Sequence, residues 1–476
     1  MRRIEIMDKF PPPVFNSTSA STVKVLPSRR FVISVLPLLP IVYLLVLILW
    51  FSVDVPFWDE WDFVPFLGQV YQGTWSIWDV WKSHNEHRIV FPKLVLLTLA
   101  WVSDWNKLYE LLANFLLAIG TFLVLLSYTI SNFHSIAVEK SWWLPCVISL
   151  LVFSLNQFEN WFMGIQLCVF LNVFSIVAGY GLLSQALASW RCFWGAVGFG
   201  VIATFSFSNG LLYWPIALLM LFLLAVAERK RDELKLLLWS LIGLTITWVY
   251  LYDFDFIRSP LAAETAYTRA FLSYVSYVFS YLGSPLAIFA VRTPFGPLLS
   301  AVVGVAGITT FGFSLWCLVY HYQIAIARIV YPSALGCYAI GSALMTAMGR
   351  ASFGLTQALS SRYIIFSSLL WIANVILLAF LAGARAKTSG LTEKSLKTHE
   401  YVGVIVTVLL LFLSSAGGTI ATMERATKRL AARDELLSPQ NVQRLQPLYP
   451  DITVVTERAK TLQRYHLSLF RESRTK

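Results

Sequence analysis

Apolar runs of roughly 18 or more residues recur along this chain, each long enough as a helix to cross the hydrocarbon core of a bilayer. In lipid every backbone N–H and C=O must find a partner inside the protein, so such runs fold as helices. The ten-residue alternation of a membrane barrel is absent. Charged residues make up 13% of the 476, against about 25% in an ordinary soluble chain, which leaves too few to coat a water-facing surface. The expected fold class is all-α, a polytopic helical membrane protein with about eleven transmembrane helices. They are read at residues 31–53, 108–130, 142–155, 162–187, 193–207, 211–227, 236–252, 298–320, 329–348, 364–381 and 401–415.

The net charge of +11 sits in scattered short loops and a tail, not in one patch. That is the positive-inside distribution of a membrane protein, and it argues against a nucleic-acid partner. Residues 1–30, with Arg2, Arg3, Lys9, Lys24, Arg29 and Arg30, read as a cytoplasmic basic tail. The run Glu228, Arg229, Lys230, Arg231 marks the same side. Residues 31–418 then form the transmembrane domain, with a long outer loop at 54–107, and residues 419–476 form a C-terminal tail on the outer face. The expected location is the plasma (inner) membrane, N-terminus cytoplasmic and C-terminus outside. Residues 253–297 read as a second outer loop with 269–281 lying on the membrane, because a span at 271–291 would send the basic loop of Arg385, Lys387, Lys394 and Lys397 outward. The five cysteines lie in or beside apolar runs at no metal-like spacing and read as small apolar residues.

The first outer loop carries the densest chemistry. It opens on Pro56-Phe57-Trp58-Asp59-Glu60-Trp61-Asp62 and continues to Ser83-His84-Asn85-Glu86-His87-Arg88. Within it, 63–71 and 89–102 read as interfacial helices, and Trp75, Trp78 and Trp81 as an aromatic belt resting on headgroups. On a helix Asp59 and Asp62 share a face while Glu60 points about 100° away. A carboxylate buried among Trp58, Trp61 and Phe63 holds its proton more tightly and suits a general base. The His84, Glu86, His87, Arg88 cluster lacks the helical His-Glu-x-x-His spacing of a zinc site, and no further ligand completes a set nearby. Hydrogen bonding or contact with an anionic oxygen, with Arg88 as its partner, is the preferred reading.

Two further clusters lie on the same expected side. Asn156-Gln157-Phe158-Glu159-Asn160-Trp161 with Gln166 places amides and an acid at the end of an apolar helix, where they hydrogen-bond between helices or meet sugar hydroxyls. Arg350 and the Ser361-Arg362-Tyr363 triplet put guanidiniums at headgroup level, suited to a lipid phosphate.

A polar N-terminus, one span, a long outer loop opening on Trp58-Asp59-Glu60 and a following segment His87-Arg88-Ile89-Val90-Phe91-Pro92-Lys93-Leu94 together resemble the GT-C superfamily of membrane glycosyltransferases. The second segment is a looser counterpart of that family's His-Pro-Pro-Leu type motif, and the doubled proline is missing. Gly349-Arg350 and Ser361-Arg362-Tyr363 resemble the arginines such enzymes place near a lipid phosphate. The likeness covers residues 31–130, with general agreement of layout beyond. It implies transfer of a sugar, with inversion, from a polyprenyl-phosphate-linked donor to a lipid, glycan or protein acceptor at the outer (extracytoplasmic) face, with membrane lipids as surroundings. Asp59 would be the base, and Glu60 or Asp62 would orient acceptor or donor. Arg88, Arg350 and Arg362 would hold the departing phosphate. No cofactor is required on this reading, although the acidic loop leaves room for a divalent metal ion. The alternatives are a transporter or flippase of a lipid-linked saccharide and a non-catalytic component of a polysaccharide assembly complex.

Overall fold

A computed structural model describes residues 35–133, 143–229, 232–254, 267–287, 293–388 and 393–475. The basic N-terminal tail lies outside the described residues. Helix α1 (Leu38–Phe51) leads into a 3-10 turn (Trp58–Phe63), α2 (Val64–Gln72), α3 (Ile77–Trp81) and α4 (Val90–Ser103). A bundle follows: α5 (Lys107–Phe133), α6 (Trp143–Val152), the short α7 (Phe158–Phe162), α8 (Leu167–Leu183), α9 (Trp190–Thr204) and α10 (Tyr213–Ala227). Then come α11 (Glu233–Leu251), α12 (Tyr267–Ala287), α13 (Gly296–Trp316), α14 (Ile326–Arg350) and α15 (Ile364–Thr388). The 45-residue α16 (Glu393–Leu437) and α17 (Ile452–Arg464) complete the chain. Among the described residues there is no strand, only an isolated bridge between His84 and His87.

Seven helices, α5, α8, α10, α11, α13, α14 and α15 with their flanking turns, are long and apolar enough to cross a membrane. The other four expected spans are not matched by one of these seven helices among the described residues. α6 has 10 described residues and α9 has 15, about 15 and 22 Å of described helix at 1.5 Å per residue, against a hydrocarbon core about 30 Å thick. Each is cut by a turn: Ser154 caps a new turn after α6, and α9 stops at Phe205. α1 has 14 described residues, and the expected span at 401–415 is absorbed into α16.

Residues 267–287 depart further from expectation. They form α12, which packs on α13, α14 and α15 and buries Tyr277, Tyr281 and Leu282 completely, so this is a helix of the bundle. Small residues let it approach α13 closely. A Cβ on Gly283 would lie 1.8 Å from the Ser300 carbonyl oxygen, and one on Gly304 would lie 1.9 Å from that of Phe279. Ser300 donates to the Ser280 carbonyl at 2.6 Å, a polar contact worth making where no water competes. The Trp371 indole of α15 donates to the Leu282 carbonyl at 2.9 Å and fixes the third helix of the group.

A second, smaller core lies at the end of the bundle that carries residues 53–105. Trp61, Val64, Leu67, Leu96 and Trp105 pack there against Leu445, Leu448, Val455 and Leu462 from the C-terminal segment. α2 lies against α17, with Gly68 beneath Thr461, and is covered by protein on that side. Trp75 and Trp78 are exposed as an aromatic rim, while Trp81 turns inward onto Phe205.

The α12–α13 contact yields a test. Gly283→Ala and Gly304→Ala should each cost about 1–3 kcal/mol by overpacking, read as a lower thermal midpoint of the detergent-solubilised protein. Gly312→Ala, where a Cβ meets nothing within 4 Å, should leave the midpoint unchanged.

Candidate active site

The turn Trp58–Phe63 starts from Trp58 at φ 50°, a left-handed backbone that bulky residues rarely adopt. A 3-10 turn has three residues per repeat, so Asp59 and Asp62 stand one above the other, as they would on an α-helix, and Glu60 leaves on another side. The three acids then meet different fates. Glu60 is 1% exposed, accepts the backbone N–H of Phe57 at 2.7 Å and of Gly164 at 2.6 Å, and pairs with Lys107 at 2.9 Å. Lys107 also pairs with Glu110, whose other oxygen accepts the Trp105 indole N–H at 2.7 Å. Asp62 accepts the Tyr449 hydroxyl at 3.0 Å and pairs with Arg458 at 2.5 Å. Only Asp59 is left loosely held, with the Arg362 guanidinium 3.7 Å away.

Burial pushes the Asp59 carboxyl above its ordinary value; Arg362, His84 and Arg350 work against this, and Asp62 works with it. The result is a carboxylate of raised basicity beside a guanidinium.

Residues 84–87 make a tight hairpin: His84 N–H donates to the His87 carbonyl at 2.8 Å, and the reverse bond is 3.1 Å, with Asn85 at φ 49°. The hairpin delivers four side chains. Glu86 grips Arg350 through both carboxylate oxygens at 2.5 Å. His87 stacks on Phe207 at 3.9 Å and shares a 2.8 Å hydrogen bond with Ser208; burial pushes it down to about 3, so its ring stays neutral across the physiological range. Burial lowers His84 too, against the pull of Asp59 and Asp62, and its Nε2 is enclosed with no hydrogen-bond partner. Arg88 departs from the expected anion contact. Its buried guanidinium donates to the carbonyls of Trp81, Tyr250, Tyr252 and Asp253 at 2.5–3.2 Å, tying the hairpin to the end of α11.

The amide cluster divides in the same way. Asn156 donates to the Pro285 carbonyl at 2.8 Å, Gln157 to that of Val152 at 2.7 Å, and Asn160 to Gln157 and to the Arg362 carbonyl, both at 3.2 Å. These amides seat α7 and hold the backbone of Arg362. Gln166 is buried in the turn that opens α8 and is not among the residues lining the cavity described next. Glu159 emerges from α7, 3.5 Å from the Nε of Arg362 and 3.3 Å from Arg425 of α16. Tyr363 stacks on Tyr281 at 5.4 Å and accepts from Gln357 at 3.4 Å.

Glu159 and Arg362 form one wall of a cavity of about 540 Å³. One face of α16 (Gly417, Ala421, Glu424, Arg425, Lys428) closes the other side, and Gln357 and Ser360 line its floor. Arg362 therefore both lines the α16 cavity and lies 3.7 Å from Asp59. The first-loop carboxylates, Glu159 and the guanidiniums of residues 350 and 362 are all brought to one end of the bundle. Among the described residues no three His, Cys, Asp or Glu side chains group closely enough to hold a metal ion.

Nothing in the sequence singles out Arg425 or Lys428. Their stretch, 423–437, is legible as helical, but nothing in it points to Glu159, about 266 positions away in the chain. The ion pairs Lys107–Glu60, Arg458–Asp62 and Arg471–Asp54 are likewise invisible from spacing.

No family model matches this chain, and neither the curated proteins nor the solved structures contain a match.

The separation of Asp59 from Glu60 is testable. Lys107→Met leaves two carboxylates buried without their cation and should cost about 3–5 kcal/mol, read as loss of folded protein or a sharply lower thermal midpoint. Asp59→Asn should stay within about 0.5 kcal/mol of the parent chain, because the Asp59 carboxylate is held only loosely.

Proposed function

We propose that this protein is a membrane glycosyltransferase that moves a sugar from a polyprenyl-phosphate donor to an acceptor hydroxyl of a lipid, glycan or protein at the membrane face. The observation that carries the reading is Asp59, a half-buried carboxylate of raised basicity, 3.7 Å from Arg362, which also lines a large cavity with Arg425 and Lys428. A base next to a cluster of cations matches the two demands of this reaction. One group must take a proton from the attacking oxygen, and others must stabilise the charge that leaves with the phosphate.

On this reading the Asp59 carboxylate accepts the proton of the acceptor hydroxyl as its oxygen attacks the anomeric carbon. The bond from that carbon to the phosphate oxygen breaks, and its electron pair departs on the phosphate. Attack opposite the leaving group inverts the anomeric centre. Arg362 sits where it can face both partners, with the proton acceptor on one side and the cavity on the other. Arg425 and Lys428 extend the positive edge along α16, and the small residues Gly417 and Ala421 leave room beside it for an apolar chain. Glu60 and Arg88 act through structure, the former holding the turn and the latter the hairpin. The neutral imidazole of His87 adds no cation to repel Arg350.

The charged groups gather at helix ends: Arg350 closes α14, and Arg362 stands in the turn opening α15. That placement favours chemistry at a membrane face over a path through mid-span, where a carrier needs its polar groups.

The test is mass spectrometry of lipid-linked glycans in cells carrying the wild-type or variant gene. Asp59→Asn should reduce transfer by about 10²–10⁴-fold at unchanged membrane level. Arg362→Ala and Arg425→Ala should reduce it too, with accumulation of one polyprenyl-phosphate sugar. Transfer in the wild type should also rise with pH through a value above the ordinary carboxylate range, since the base acts only when deprotonated. Full activity in Asp59→Asn, or saccharide translocation without a new glycosidic bond, sinks the proposal.

A further inference from the structure

Both flanks of Asp59 are held by the far end of the chain. The Trp58 N–H donates to the Leu448 carbonyl at 2.8 Å, and Asp62 takes the Tyr449 hydroxyl at 3.0 Å and Arg458 at 2.5 Å. Trp58 keeps a left-handed backbone at φ 50°, a conformation that persists only where the surroundings over-determine it. The segment that supplies these contacts is itself anchored. Leu448, Val455 and Leu462 are fully buried against the first-loop core, and Arg471 pairs with Asp54 at 2.5 Å. None of Tyr449, Arg458 and Arg471 lines the α16 cavity, so the transfer step described above leaves them without a part.

We propose that the segment following α16 is a positioning element of the site, and that Arg458 is the positioning residue that acts on Asp59 through Asp62. The geometry is direct: Asp62 stands one 3-10 repeat from Asp59 on the same face, and Arg458 pairs with it at 2.5 Å. The groups facing Asp59 are Arg362 from the turn before α15, Arg350 from the end of α14, His84 from the hairpin, Tyr449 from the C-terminal segment, Cys168 from α8 and Asp62 from its own turn. Asp62 is the one carboxylate among them. Paired with Arg458 it is a muted neighbour. Unpaired, it becomes a full negative charge that makes Asp59 hold its proton more tightly, and the turn loses a tether at the same time.

The catalytic meaning of this arrangement rests on the transferase reading, but the protonation of Asp59 can be followed without any substrate. Dicyclohexylcarbodiimide reacts with protonated carboxyls in apolar surroundings, so peptide mass spectrometry of the full-length detergent-solubilised protein across a pH series gives the labelling midpoint of Asp59. Arg458→Gln should move that midpoint upward by about one pH unit. Arg458→Lys, which keeps the charge, should restore it, whereas a contact that merely stabilises the fold would leave the midpoint in place. Asp62→Asn should lower the midpoint, and adding Arg458→Gln to Asp62→Asn should no longer carry it above the wild type. An unchanged midpoint in folded Arg458→Gln overturns the proposal. If that variant fails to fold, Asp62→Asn decides the matter, and a midpoint equal to the wild type overturns it. Shifted midpoints beside a fully active Asp59→Asn would remove the transferase reading and leave the positioning intact. A static midpoint beside an inactive Asp59→Asn would do the reverse.

Discussion

Three separated stretches of the chain meet on the carboxylate of Glu60: the strand-like approach at Phe57, the turn at Gly164 and the start of α5 at Lys107. Taking these charges out of water costs several kcal/mol per ion, and the cost is offset only when hydrogen bonds fill the remaining valences. Here they do: two backbone N–H groups on Glu60, the Trp105 indole on Glu110, and Lys107 between the two acids. Gly164 is required at its corner, because a Cβ there would lie 1.8 Å from a Glu110 carboxylate oxygen. With Glu60 locked, its neighbour Asp59 has little freedom, and the turn that carries Asp59 takes its geometry from this buried charge cluster.

The same logic joins the end of the chain to its beginning. Residues after α16 are too few and too polar to fold around a core of their own. They gain one by sharing: Leu445, Leu448, Val455 and Leu462 complete the apolar cluster begun by Trp61, Leu67 and Trp105. Arg429 adds a polar clamp, its buried guanidinium donating to the carbonyls of Phe162 at 2.8 Å and of Val53 and Val55 at 3.3 Å. The Phe162 carbonyl at the end of α7 and two carbonyls of the segment that follows α1 thereby share a cation that arrives from α16.

What could be read from the sequence follows what each signal measures. Hydropathy over 18 residues finds α5, α8, α10, α11, α13, α14 and α15 because length and apolarity are the same property there. It overcounts at α6 and α9, where capped turns cut an apolar run short, a matter of backbone and not of composition. It misses the place of α12 in the bundle, because its tyrosines bury by close packing and its Ser280 hydroxyl bonds the Pro297 carbonyl, side chains that a transfer scale rates as polar. The shared face of Asp59 and Asp62 is legible because a spacing of three suits either helix type. The separate fate of Glu60 is not, since it depends on Gly164 and Lys107 arriving from elsewhere. Arg88 shows the same limit, because a guanidinium suits carbonyls and phosphates equally, and only the end of α11 decides which it meets.

Distance sorts the remaining charges by role. The tight pairs are Lys107 with Glu60 and Glu110, which are fully buried, and Arg458 with Asp62, which is partly exposed. Around the cavity the separations lengthen to 3.7 Å for Arg362 with Asp59, 3.5 Å for Arg362 with Glu159 and 3.3 Å for Arg425 with Glu159, and the groups are partly exposed. Pairs that loose and that wet contribute little to stability, roughly 0–1 kcal/mol each. They still keep the guanidiniums charged at the edge of an apolar core. A phosphate carries more charge than a carboxylate and can accept from several N–H groups at once, so it can displace such weak partners at small cost. A fold selecting for stability alone would have closed these contacts as it closed those on Glu60. Their looser geometry beside the closed pairs on Glu60 is what sets Arg362 and its neighbours apart.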